Sequence, residues 1–303
     1  MTRQVLAIDF GGTKVALGTA AAGATGDRPH ATVRLDTRGA EGADQVVERT
    51  LAAARELVAE PVAVGVSTFG VVRDGVVRLA PNVPGWDGLP LPRLLAGAFG
   101  DTPLSLDNDV NAGAAAELRW GALRGADTAL YVNVGTGLSA ALVVGGQVLP
   151  GANGAAGEIA YLRDTAGAPA FAEHRAPLEE AVSGSALARR GSALLGRPVT
   201  AEELFGLYPD PAVAVLLDEA LEVLARTVAN LSVVLDPQCV VLGGGLMGAA
   251  EHIMPRVAEA LQRAVPFPPR LAAARFVDDA PLLGALSAAL SLAEPERTVR
   301  TPP

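Results

Sequence analysis

A strand, a glycine turn and a second strand occur twice in this chain, and the repeat narrows the folds open to it more than any other feature. Ile8-Asp9-Phe10-Gly11-Gly12-Thr13 is echoed by Val132-Asn133-Val134-Gly135-Thr136-Gly137. In each copy an apolar run (residues 5–10 and 130–134) is closed by glycine and resumed (15–20 and 138–144), the pattern of a tight hairpin. After the first copy come a candidate strand at 31–35, a helix over 41–60 with one apolar face, and strands at 62–67 and 104–106. After the second come helices over 185–195, 201–207 and 212–235, a strand at 239–242 and a helix over 250–264. A helix over 280–292 closes the pattern, and residues 294–303 read as a frayed tail. Two halves built alike point to a duplicated α/β architecture with a cleft between two lobes, and 303 residues suffice for both.

Composition narrows the chemistry. Half the residues are apolar, so a sizeable core is expected, and a net charge of −9 opposes binding to nucleic acid. One cysteine, Cys239, and three scattered histidines (His30, His174, His252) leave no ligand spacing for zinc. The strand-like run beginning near residue 4 leaves no room for an export leader, and the apolar stretch 129–144 is interrupted by Asn133 and three turn residues. A cytoplasmic protein without a membrane span is therefore expected. Of the 24 basic residues one is a lysine, Lys14, and the other 23 are arginines. A compact ammonium can touch phosphate oxygens at close quarters, although survival of one lysine by chance gives the same count.

Four stretches carry candidate chemistry. Asp9, at a strand end, precedes Gly11, Gly12, Thr13 and Lys14, and backbone N–H groups in such a turn bind phosphate oxygens; a hairpin that merely needs glycine is the plain alternative. The turn at Gly135, Thr136 and Gly137 repeats the device, so that two turns are able to face one triphosphate. The string from Gly243 and Gly244 to Gly248 contains G-x-G-x-x-G but lacks an acid about 20 residues on, so a glycine shelf for adenine or ribose is preferred to a dinucleotide fold. Leu106-Asp107-Asn108-Asp109-Val110-Asn111 packs two acids and two amides ahead of an alanine-rich helix. A helix cap accounts for one of these groups; a carboxylate taking a proton from a phosphoryl acceptor, with an amide holding the adjoining hydroxyl, accounts for more. Glu158 and Glu179 lie among apolar and small residues, where a polyol would give them partners and a solvated surface would do so equally.

Taken in order, these stretches resemble the ROK (repressor, open reading frame, kinase) group of the actin-like sugar kinases over nearly the whole chain. Pro81-Asn82-Val83-Pro84-Gly85-Trp86, Gly157-Glu158-Ile159, Leu178-Glu179 with Ser183-Gly184, and Leu235-Asp236-Pro237 complete the match. The resemblance implies a duplicated actin-like ATPase (ribonuclease H-like) fold, with a smaller lobe of residues 1–112 plus 285–303 and a larger lobe of 113–284. It implies ATP-dependent phosphorylation of a hexose, glucose first and N-acetylmannosamine or N-acetylglucosamine as alternatives. Asp109 would be the base, and Gly70, Asn82, Asn108, Glu158 and Glu179 would hold sugar hydroxyls. Asp9 would face Mg²⁺ through water, and the usual assembly would be a homodimer. Two departures stand out. Tyr161 occupies the place of a histidine that in relatives touches sugar and binds zinc, and residues 164–177 contain no cysteine where the family has a zinc loop. Zinc is therefore expected to be absent, and the contact made at Tyr161 to differ. A repressor of the same family would need a DNA-binding module before the first strand, and a silent sugar sensor would not need Asp109, Asp9 and Lys14.

Overall fold

The protein, described here from a computed structural model, is resolved into two compact units over residues 3–163 and 167–294. Residues 295–303 of the expected tail and residues 164–166 of the cysteine-free segment lie outside the described residues.

The first unit holds residues 3–120, 152–154 and 279–294. Its strands are β1 (Gln4–Phe10), β2 (Lys14–Ala21), β3 (Ala31–Asp36), β4 (Val64–Thr68), a small hairpin of β5 (Val71–Arg73) and β6 (Val76–Arg78), and β7 (Leu104–Asn108). Between them run α1 (Ala43–Leu57) and α2 (Leu91–Phe99), and α3 (Asp109–Trp120) leaves β7 with no intervening loop. The main sheet has the order β3-β2-β1-β4-β7, antiparallel across the first three strands and parallel from β1 to β7. The C-terminal helix, Ala280–Ala293, is buried along most of its length against this sheet and α3. Glycines make that approach possible: a Cβ at Gly65 would fall 1.9 Å from the Ala285 carbonyl, and one at Gly284 would fall 1.8 Å from that of Ala112. On the other side Phe69 stacks on Trp86 at 4.8 Å, and the indole N–H donates to Thr68 Oγ1 at 3.1 Å.

The second unit holds residues 121–151, 155–163 and 167–278. Its strands are β8 (Ala129–Val134), β9 (Leu138–Val144), β10 (Gln147–Val148), β11 (Cys239–Gly243) and β12 (Arg270–Ala273), in the order β10-β9-β8-β11-β12. Three antiparallel strands followed by two parallel ones repeat the plan of the first sheet. Helices α4 (Pro177–Val182), α5 (Gly184–Leu195), α6 (Ala201–Gly206), α7 (Pro211–Leu235) and α8 (Ala250–Ala264) belong to this unit. Its core joins Leu130 and Val132 of β8 to Leu217, Leu221 and Val228 of α7 and Ile253 and Leu261 of α8. Among the described residues no helix is long and apolar enough to cross a membrane.

Both hairpins, the expected helices and the strands at 62–67, 104–106 and 239–242 form within two or three residues of their expected ends. The β5–β6 hairpin, α2, α4 and β12 were not expected. They are short elements whose apolar residues make too few repeats to show a period, and tertiary packing decides them.

Candidate active site

In the first unit β1 delivers Asp9 to the sheet's end, in parallel register with Ser67 of β4. Burial pushes the Asp9 carboxyl up to about 7; the Ser67 hydroxyl lowers it in part, and the charges of Asp109 and Asp279 raise it further. Ser67 Oγ is buried without a well-formed hydrogen bond. The turn that follows is pinned by residues that the sequence did not single out. Thr37, just past β3, donates its hydroxyl to the Gly11 carbonyl at 2.6 Å and its N–H to the Thr13 carbonyl at 2.9 Å. Gly11 N–H donates to the Lys14 carbonyl at 3.0 Å, and a Cβ on Gly11 would sit 2.5 Å from that oxygen, so glycine is needed there. Gly12, Thr13 and Lys14 are left exposed.

Asp109 is the first residue of α3. Burial pushes its carboxyl up to about 6, against hydrogen bonds from the Val110 N–H, at 2.9 Å, and from its own N–H. The neighbouring polar groups divide their work. Asn108 Oδ1 accepts the Asn111 N–H at 2.7 Å and caps the helix, which leaves its amide NH₂ donors for a ligand. Asp107 Oδ1 accepts both the Asn108 N–H and Asn111 Nδ2–H, each at 2.8 Å. Gly70, at φ 80°, has a packing reason of its own, because a Cβ would fall 2.6 Å from the Arg78 carbonyl. Asn82 is exposed in the turn before Trp86.

In the second unit the turn at Gly135 is braced by α5. Gly184 N–H donates to the Gly135 carbonyl at 2.8 Å, and the Ser185 hydroxyl donates to that of Thr136 at 2.7 Å. Glu179 Oε2 accepts the Leu138 N–H at 3.0 Å, and a Cβ on Gly137 would come within 2.7 Å of that oxygen. Gly157, at φ 89°, passes so close to β9 that a Cβ would meet the Ala140 carbonyl at 1.9 Å, and it sets Glu158 beside that strand. Tyr161 packs edge-on against Phe171, ring centres 5.3 Å apart. Burial raises its phenol's pKa, and the charges of Glu158 and Glu179 raise it further.

Gly243 and Gly244, expected to line a nucleotide shelf, each have a packing reason of their own. Their absent side chains make room for the Tyr131 hydroxyl, 2.5 Å from a Cβ on Gly243, and for the Val134 carbonyl, 2.6 Å from one on Gly244. The open faces belong to Gly245 and Gly248, which line a cavity of about 400 Å³ with Phe205, Leu246 and His252. A second groove of about 310 Å³ lies elsewhere on this unit, between α7 and α8. Two of its three arginines are ion-paired, Arg256 to Asp218 at 2.5 Å and Arg263 to Glu259 at 3.6 Å.

Among the described residues no group of three His, Cys, Asp or Glu side chains is placed to hold a metal. Mg²⁺ makes a lighter demand, being bound through one or two carboxylates while it keeps several waters. Asp9 fits: its charge is disfavoured by burial and by two acidic neighbours, which a divalent cation would offset.

A model of the ROK family matches residues 5–292. The chain is 33% identical over 290 residues to the N-acetylmannosamine kinase of Escherichia coli O157:H7, covering 92% of this chain and 96% of the relative. Its fold matches the crystal structure of the ROK hexokinase from Thermus thermophilus with a TM-score of 0.80 at 34% identity, over 95% of this chain and 99% of that one. It also matches a ROK family glucokinase from Streptomyces griseus, solved with glucose and AMPPNP, with a TM-score of 0.77 at 25% identity over 95% and 99% of the two chains.

Proposed function

Because the chain belongs to the ROK family of sugar kinases, with the actin-like ATPase fold but without the family's zinc motif, we propose that it transfers the γ-phosphate of ATP to the 6-hydroxyl of glucose. The observation that carries the reading is Asp109, a half-buried carboxyl at the β7–α3 corner that desolvation pushes up to about 6, poised to accept a proton near neutral pH. The carboxylate of Asp109 takes the proton of the sugar hydroxyl. The freed oxygen forms a bond to the γ-phosphorus while the bond from that phosphorus to the bridging oxygen breaks, and ADP leaves.

The other residues serve binding. The N–H groups of Gly11 and Gly12, with Thr13 and Lys14, are assigned phosphate oxygens, and so is the Gly135-Thr136-Gly137 turn, while the adenine is assigned to the cavity at Gly245 and Gly248. Asp9 would hold Mg²⁺ through water, and the ion, when bound, neutralises phosphate charge. Asn108 through its NH₂, with Asn82, Gly70, Glu158, Tyr161 and Glu179, is assigned the sugar. The glucose reading is supported by the glucose-bound glucokinase among the similar structures; the N-acetylmannosamine kinase relative supports N-acetylmannosamine as a second reading. A cytoplasmic homodimer is part of the same proposal, to be checked by light scattering.

ATP consumption with a panel of hexoses and N-acetylhexosamines tests the assignment. Glucose-dependent turnover lowered by about 10²-fold or more in Asp109→Asn is the expected result; preference for an N-acetylhexosamine would replace glucose by the second reading, and no turnover with any sugar would sink both.

A further inference from the structure

We propose that Asp107 and Asn111 are positioning residues for phosphoryl transfer, a side-chain bracket that holds Asn108 and Asp109 at the β7–α3 corner; the proposal rests on the kinase reading above. β7 is an edge strand of its sheet, paired with β4 alone, and it passes into α3 without a loop residue. The placement of Asp109 therefore depends on the local geometry of one corner, with no second neighbouring strand to hold it.

Three hydrogen bonds close that corner. Asp107 Oδ1 receives the Asn108 N–H and Asn111 Nδ2–H, each at 2.8 Å, and the Asn111 N–H returns to Asn108 Oδ1 at 2.7 Å. Capping α3 requires only the last of these. Of the other two, one holds Asp107 Oδ1 against the Asn108 N–H and one ties it to Asn111 Nδ2–H, so residues 107, 108 and 111 close a ring of contacts around the backbone that carries Asp109.

Stability alone is poorly served by this arrangement. Asn111 is 2% exposed and its Oδ1 is buried without a partner, while Asp107 is a half-buried carboxylate whose pKa desolvation raises. A buried acceptor left unsatisfied is a cost that an apolar side chain at 111 would avoid. The amide makes sense if its donor end has a task, and that donor is hydrogen-bonded to Asp107. A reacting carboxylate displaced by about 1 Å can lose a hundredfold in rate, so such a bracket acts on kcat more than on nucleotide binding.

Asp107→Ala, Asp107→Asn and Asn111→Ala separate the readings. Asp107→Ala and Asn111→Ala are expected to lower kcat by about 10- to 100-fold with the KM for ATP changed by no more than about twofold. Asp107→Asn, which keeps an oxygen acceptor, is expected to retain kcat within about fivefold. The melting midpoint of Asn111→Ala should stay within a few degrees of the parent, since the change removes an unsatisfied acceptor. Wild-type kcat in Asn111→Ala, or an Asp107→Asn no better than Asp107→Ala, overturns the proposal. A parent protein without sugar-dependent turnover overturns the kinase reading and this inference with it.

Discussion

Glu179 Oε2 accepts the backbone N–H of Leu138 at 3.0 Å, so one of the carboxylates assigned to the sugar also fastens the second glycine hairpin. Glu179→Ala would leave that N–H beside a 2% exposed leucine without its acceptor, a loss of about 1–3 kcal/mol. Steady-state kinetics should then show KM rising for both sugar and ATP. Glu179→Gln keeps an acceptor oxygen and should raise the KM for sugar alone. Equal effects of the two variants on ATP would separate the hairpin from the carboxylate.

Asp109 is expected to work as an anion. Because its carboxyl is pushed up to about 6, kcat/KM should rise with pH through about 6 and level off above it. Asp109→Asn should lower kcat by about 10²- to 10⁴-fold while calorimetry still shows sugar binding. A pH-independent rate between 5 and 8 would remove the base from Asp109.

Asp9 makes stability depend on pH. Its folded carboxyl lies near 7 against an ordinary 3.8, so the folded state holds a proton more tightly than the unfolded chain. The stability this supplies is complete below 3.8 and is lost as pH rises through about 7. Asp9→Asn should therefore raise stability at pH 8 by about 1–2 kcal/mol in metal-free buffer, with the gain vanishing near pH 4. Denaturant melts at the two pH values check the sign; a destabilised variant at pH 8 would contradict it.

Gly157→Ala adds a methyl 1.9 Å from the Ala140 carbonyl at a residue with φ 89°. Displacing β9 and straining that backbone together should cost more than about 2 kcal/mol. The expected result is a melting midpoint lowered by several degrees together with weaker sugar binding, because Glu158 is the next residue. An unchanged melt would show that this loop yields freely.

Metal dependence should divide cleanly. A zinc-selective chelator is expected to leave both turnover and melting unchanged, since no His, Cys, Asp or Glu cluster among the described residues is placed for the ion. EDTA in excess of Mg²⁺ should abolish turnover and leave the melt intact. Loss of the fold on zinc chelation would restore the metal that the sequence argues against.

Much of this was legible from local pattern. The strand-glycine-strand repeat marked both sheets, and the helix over 250–264 appeared at its expected ends because its apolar residues recur with a helical period. The polar string from 107 to 111 identified its corner but not its division of labour. A carboxylate that accepts two neighbouring donors, an amide that caps the helix and a carboxylate whose pKa is raised are indistinguishable until folding sets their contacts. Thr37 gave no signal, since its two bonds reach back to the turn at Gly11 across two strands.

Residue type and spacing by themselves determined the doubled hairpin, the alternation of strands and helices, the missing zinc ligands and the short set of acids from which a base had to come. Only the tertiary structure decided that Gly243 yields space to Tyr131 while Gly245 and Gly248 open on a cavity, and that Glu179 reaches Leu138, 41 residues away. The reason is range. Periodicity and turn chemistry act between residues a few positions apart, whereas close backbone approach, burial and the pKa changes that burial causes come from atoms that folding brings together from distant parts of the chain.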